Sequence, residues 1–193
     1  MAISKGASFG RGKVLRNRWT AAFGILVSFL FLLFWLAWAM EESLDPDPIG
    51  RGSIWFLSLF FPLVWWFLLK ASFFTNIKID ENGVIVRNFF SKTVIPAGKI
   101  SGVTWEGGVD VITSDGSKYW CFNLGGSLIG AMFGFPTNRR CAREIEAFLN
   151  ARKIENRGGA GGDVRFGAHL NIVFLVSSVL VSYSSLRLLD FFL

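Results

Sequence analysis

The stretch WTAAFGILVSFLFLLFWLAWAM, Trp19 to Met40, contains no charged residue. A run of this kind is about long enough to cross a hydrocarbon core of roughly 30 Å as a helix. It is longer than the apolar core of a cleavable signal, and it is followed by EESLDPDP instead of a small-residue cleavage site. The reading is a transmembrane helix over about 19–40 that stays in the mature protein.

Two further runs extend the pattern. GSIWFLSLFFPLVWWFLLKASFF, Gly52 to Phe74, holds Pro62 near its middle and Lys70 near its end. Proline removes one backbone donor and kinks a helix, a defect that membranes tolerate when neighbouring helices satisfy the freed carbonyl. GAHLNIVFLVSSVLVSYSSL, Gly167 to Leu186, opens on His169 and Asn171 and is followed by Arg187. A third spanning helix is expected within 167–193. Trp19, Trp38, Trp55, Trp65 and Trp66 fall near the ends of the first two helices, where indole rings form interfacial belts.

Orientation follows from the basic residues. Lys5, Arg11, Lys13, Arg16 and Arg18 precede the first helix, in a tail over 1–18 without an acid. The loop after that helix carries Glu41, Glu42, Asp45 and Asp47 against Arg51. The positive-inside rule puts the N-terminus and residues 75–166 in the cytoplasm, and the acidic loop outside. The expected location is the plasma (inner) membrane of a bacterium, as a multi-pass protein. The apolar fraction of 52% thus sits in blocks, and much of the net charge of +6 lies on the tail. An anionic leaflet accounts for that charge better than nucleic acid does. Cys121 and Cys141, both on the expected cytoplasmic side, should be reduced, packed thiols.

After Phe74 the chain changes to short alternating runs. Ile77 and Ile79 alternate, ENG at 81–83 supplies a tight turn, and Val84 and Val86 resume. KTVI (92–95), ISGVTWE (100–106), VDVITS (109–114) and SKYWCFNL (117–124) read as further strands, the last two joined by a turn at Asp115–Gly116. NRRCAREIEAFLNARK then places Cys141, Ala142, Ile145, Phe148 and Leu149 on one helical face, with Thr137 as the expected N-cap. The expectation is an α+β domain over 75–153, a bent antiparallel sheet capped by this amphipathic helix. RGGAGGD follows the helix, opens no nucleotide-binding helix, and reads as part of a flexible linker over 154–166.

The series IKIDENGVIVRNFFSKTVIPAGKISGV, then VDVITSDGSKYW and an amphipathic helix, resembles the PH-like (pleckstrin-homology-like) domain of small, uncharacterised bacterial membrane proteins. In that group a pair of transmembrane helices commonly precedes the domain. The resemblance covers about residues 75–152 and rests on turn and strand motifs, none of them catalytic. It implies a strongly bent sheet capped by the C-terminal helix. The third apolar segment departs from the pattern. Lys78, Arg87 and Lys92 stand where a lipid-binding hairpin would carry its bases, but Asp80 and Glu81 occupy the turn between them. Inositol-lipid recognition is therefore not expected.

Catalytic constellations find little material. His169 is the only histidine and sits at the edge of an apolar segment, so a Ser-His-Asp triad in the cytoplasmic block has no base. No Cys/His cluster has zinc-site spacing, and no cofactor is expected. Asp80 with Glu81, and Glu144 with Glu146, read as solvated surface groups. In GGSLIGAMFGF, Gly126, Gly130 and Gly134 recur every four residues in a segment too short to span. Either it is a loop whose glycines relieve backbone strain, or its Leu128, Ile129, Met132, Phe133 and Phe135 dip into the cytoplasmic leaflet or cover an apolar pocket. The expected contact residues are thus Lys78, Arg87, Lys92, Leu128, Ile129, Phe133 and Phe135.

Three functions stay open at this level. One is a non-enzymatic membrane-anchored domain that contacts protein or lipid at the cytoplasmic face; its partners would be the bilayer, another protein or a second copy. Another is a subunit of an oligomeric transporter or channel. The last is an enzyme with a membrane-embedded or carboxylate-based site.

Overall fold

The computed structural model describes residues 12–44, 51–125, 134–154 and 162–192. In chain order the elements are β1 (Lys13–Leu15), α1 (Arg18–Leu44) and α2 (Arg51–Leu69), which runs into a π-helical turn at Lys70–Phe74. Then come β2 (Asn76–Asp80), β3 (Gly83–Arg87), β4 (Ser91–Pro96), β5 (Ile100–Thr104), β6 (Gly108–Thr113) and β7 (Lys118–Gly125). The chain closes with α3 (Pro136–Ile154), β8 (Arg165–Ala168) and α4 (Ile172–Phe192). These elements form two compact units, one of residues 1–17 with 75–169, the other of 18–74 with 170–193.

The first unit is α+β. One antiparallel sheet has the order β1-β2-β3-β4-β8, and the other β5-β6-β7. Side-chain alternation assigns one face of each strand to a shared core. Ile77 and Ile79 of β2, Val84 and Val86 of β3, Ile95 of β4, Val109 and Val111 of β6, and Cys121 and Leu124 of β7 belong to it. Cys141, Ile145 and Phe148 of α3 complete it, and Leu149 packs against it. Complete burial of each large aliphatic side chain contributes about 1.5–3 kcal/mol. That is why the stripe at helical spacing on α3 and the period-2 runs find each other.

Local turn chemistry differs in part from expectation. Glu81 and Asn82 join β2 to β3, with Asp80 opposite Gly83, but neither takes the left-handed conformation that an Asn-Gly hairpin favours. Gly83 is needed for another reason. It lies in β3 opposite Pro96, where a Cβ would run into the Ile95 carbonyl oxygen. At Asp115–Gly116 the expected turn forms, with Gly116 at φ 83°. There the Asp115 carboxylate accepts from the Thr113 hydroxyl at 2.5 Å and the Ser117 amide at 3.0 Å. These bonds hold its pKa below the ordinary carboxylate value. Helix α3 begins at Pro136, so Thr137 lies inside its first turn and is not the N-cap; proline suits that first helical position because its missing N–H has no partner there anyway.

Two strands come from stretches read as unstructured. Lys13, Val14 and Leu15, part of the basic tail, pair with Ile79, Lys78 and Ile77. Leu15 is buried in the core, and Lys13 reaches Glu144 of α3 at 3.1 Å. Glu144 also takes Arg140 at 3.2 Å, so it is an ion-paired link between tail and helix and not a free surface acid. Arg165 and Phe166, assigned to the linker, join Gly167 and Ala168 in β8 along β4. The expectation that the last helix starts at Gly167 is corrected accordingly. Backbone pairing claims 165–168, and α4 starts at Ile172, after Asn171 in the left-handed conformation (φ 51°) has accepted the Phe174 amide at 3.1 Å.

The second unit holds α1, α2 and α4. Two of these segments, Arg18–Glu41 and Gly52–Phe74, are long and apolar enough to cross a membrane; the apolar stretch of α4, Ile172–Leu188, is shorter. Its core is small and aromatic-lined: Ala39, Leu57, Phe61 and Leu186, with Phe31, Trp35 and Trp38 packed around them. Phe31 and Phe61 approach to 4.7 Å between ring centroids. Helix α2 continues through Pro62. Trp35 Nε1 and Ser182 Oγ donate to the Leu57 carbonyl at 3.3 and 3.2 Å. That is one residue before Ser58, whose carbonyl loses its helical donor to the proline. Gly24 lets α1 close on the π-turn, where a Cβ would meet the Ser72 side chain. Trp19 and Trp55 are exposed, but Trp66 is buried and Trp38 packs on Phe56 and Phe61, so the expected aromatic belt is only partly exposed.

Candidate interface at one end of the α+β unit

The register of the five-stranded sheet defines two ends. Leu15 lies opposite Ile77, Asn76 opposite Arg87, Arg87 opposite Lys92, and Ser91 opposite Ala168. One end therefore gathers Arg16 and Asn17 after β1, Thr75 before β2, the hairpin tip Asn88–Phe90, and His169 after β8. The Glu81–Asn82 turn marks the other.

Asn88 organises this end. Its side-chain amide donates to the Trp120 carbonyl at 2.9 Å, and its carbonyl oxygen accepts the Phe122 amide at 2.9 Å. One side chain thus stands in for a strand backbone and joins the two sheets. A second link runs from the Asn17 amide to the Asn123 side chain at 2.6 Å. His169 closes the edge, its amide donating to the Phe90 carbonyl at 3.0 Å and Nδ1 lying 3.4 Å from the Asn88 carbonyl. That histidine is occupied in structure.

Around Asn88 the side chains are aromatic and face outward. Phe90 is 59% exposed, Trp120 55% and Phe122 43%. Phe89 bridges them, edge-on to Phe122 at 4.5 Å and 6.2 Å from Phe90, while Trp120 lies 6.3 Å from Phe122. Edge-to-face pairs contribute about 0.5–1.5 kcal/mol beyond area burial, which helps hold the rings in place without hiding them. Beneath the patch the alternate residue of β7, Cys121, points into the core with Sγ 3.9 Å from the Arg87 carbonyl. Burial pushes its thiol up to about 12, and that of Cys141 up to about 11. Both remain protonated and unreactive at neutral pH.

The basic residues singled out from the sequence separate into two kinds. Arg87 and Lys92 face each other across β3 and β4 on the last rung before the aromatic tip. Like charges directly opposite repel, and Arg87 Nε is buried without a hydrogen-bond partner among the described residues. Lys78 shares the same face of the sheet but is neutralised by Asp80 at 3.5 Å, toward the far end. Phe135 is half-buried and left-handed (φ 50°), its carbonyl accepting the Arg139 amide at the start of α3. Leu128, Ile129 and Phe133 lie outside the described residues. The structure thus brings together Arg87, Lys92 and four aromatics that the sequence did not single out.

Among the described residues no group of three or more His, Cys, Asp or Glu side chains could hold a metal ion. Comparison with protein-family models, with curated proteins and with solved structures gives no match.

Proposed function

We propose that the chain is a membrane-anchored, non-enzymatic contact protein. Its apolar helices cross the plasma membrane of a bacterium, and its α+β unit, read as PH-like, works at the cytoplasmic face. The observation that carries this reading is the exposed aromatic and basic end of the α+β unit. Exposed rings in contact with one another are costly in water and mark a surface made to be covered. Two further features support it. The segments Arg18–Glu41 and Gly52–Phe74 have the length and hydropathy of membrane spans, and the basic tail against the acidic 41–47 loop favours a cytoplasmic tail. The sheets with their capping helix agree with the PH-like reading of residues 75–152.

The experiment is photo-crosslinking in cells, with the crosslinker placed at Phe90 or Trp120 of the full chain. Adducts to lipid, to another protein or to a second copy are expected at these positions and not at Glu81. A chain that gives no adducts from either end is not a contact protein. Cysteine accessibility from each side of the membrane, probed at Glu81→Cys, tests the cytoplasmic placement independently.

A further inference from the structure

We propose that the end of the α+β unit formed by Phe89, Phe90, Trp120 and Phe122, with Arg87 and Lys92 behind them, seats in the headgroup layer of the bilayer that anchors the chain. This rests on the contact reading above and commits it to lipid.

Chain connectivity is the first argument. β1 ends at Leu15 and α1 begins at Arg18; the π-turn ends at Phe74 and β2 begins at Asn76; β8 ends at Ala168 and α4 begins at Ile172. All three connections leave the sheet from the end that carries the aromatic tip, as the register requires. Two of the three lead directly into segments apolar enough to cross a membrane. Each of these connections holds at most three residues.

Chemistry supplies the second argument. Indole suits the headgroup level, where an apolar body and a polar N–H are both accommodated, and phenyl rings enter the boundary between headgroups and acyl chains. The paired charges of Arg87 and Lys92 need a counter-anion, and lipid phosphates lie in that layer. A partner protein or a second copy would need its own acids and an apolar patch brought to the same place. The bilayer supplies both at high local concentration.

The test uses the full chain in vesicles with no other protein present. A polarity-sensitive fluorophore is attached to Phe90→Cys and, in a second variant, to Glu81→Cys at the far turn. Cys121 and Cys141 are buried, so the introduced thiol takes the label. Lipids carrying a quencher near the headgroup should quench the label at 90 several-fold more than the label at 81. Trp120→Cys, labelled in the same way, should follow the label at 90, which guards against a local effect of either substitution. Adding anionic lipid should deepen quenching at 90, and Arg87→Gln with Lys92→Gln should remove that increment. Equal quenching at 90 and 81 overturns the proposal. So does a label at 90 that is shielded from both lipid-borne and aqueous quenchers while the chain crosslinks to a second copy, because the patch is then a self-association surface. In either case adducts to protein in cells would keep the contact reading and discard lipid as the occupant.

Discussion

The two units bury opposite things. In the helical unit the outward surface is apolar: Phe23, Leu26, Phe29, Leu30, Leu33 and Phe34 of α1 are all exposed, whereas Ser28, Ser58, Lys70 and Ser182 are buried. In the α+β unit Ile77, Ile79, Val84, Ile95, Val109 and Ile145 are inside, and Lys99, Glu106, Asp115 and Arg143 are outside. Each pattern is stable only in its own solvent. Outward leucine loses nothing in hydrocarbon, while an outward charge loses nothing in water. Val14 and Phe166 are exposed on the two edge strands, and a cluster of exceptions sits at one end of the α+β unit, where Phe90, Trp120 and Phe122 follow the rule of the helices. On the membrane-anchored reading proposed above, such local departures mark where one solvent gives way to the other.

That contrast can be attacked directly. The largest effect should come from Ile145→Ala, which empties a fully buried site in the α+β core and should cost about 2–5 kcal/mol. Denaturant titration in micelles, read by proteolysis within 75–168, measures it; a loss below about 1 kcal/mol would mean that the core is not the water-excluding one described. Leu30→Arg, on the outward face of α1, should cost about 2.5–3.5 kcal/mol of membrane insertion, read by a glycosylation reporter. An unaffected insertion would show that this face does not meet lipid.

A smaller effect is expected from pH. The ordinary thiol value is 9.0, and burial raises Cys121 to about 12 and Cys141 to about 11. Below pH 9 folded and unfolded chains both keep the protons. As pH rises through the window from 9 to the folded values, only the unfolded chain releases them, so stability falls by at most about 1.4 kcal/mol per pH unit for each thiol. Melting of the α+β unit at about pH 8 and about pH 10 measures the slope, and Cys121→Ala should flatten it. The smallest effects concern surface groups. Lys13→Met removes a half-exposed ion pair and should cost no more than about 1 kcal/mol, and Leu30→Ala on the outward face of α1 should change stability by less than about 0.5 kcal/mol. A large loss from either would mean that the position is more buried than this fold allows.

Much of the fold was legible because periodicity is a local signal. The strands β2 to β7 alternate, α3 carries its stripe, and the first two apolar runs announce themselves by length. β1 and β8 were not legible, since an edge strand of three or four residues is held by backbone pairing to its neighbour. Only Leu15 in β1 enters the core, and every side chain of β8 is exposed. The candidate interface was half legible. Arg87 and Lys92 stood out by charge, but register separated them from Lys78. Phe89 and Phe90 are adjacent, so no period assigns them a face, and Tyr119–Trp120–Cys121–Phe122 is apolar on both sides of its strand. Which side meets the core is decided by where α3 and the second sheet lie. That is tertiary information.

Asn88 has a consequence for how this end would be seen to move. The Phe122 amide donates to that side chain, so its hydrogen exchange is sensitive to the rotamer of Asn88. When the hairpin tip swings away, the Trp120 carbonyl and the Phe122 amide are released in the same event. Exchange at Phe122 therefore reports on the seam between the two sheets, beside the exposed rings of Phe90 and Trp120.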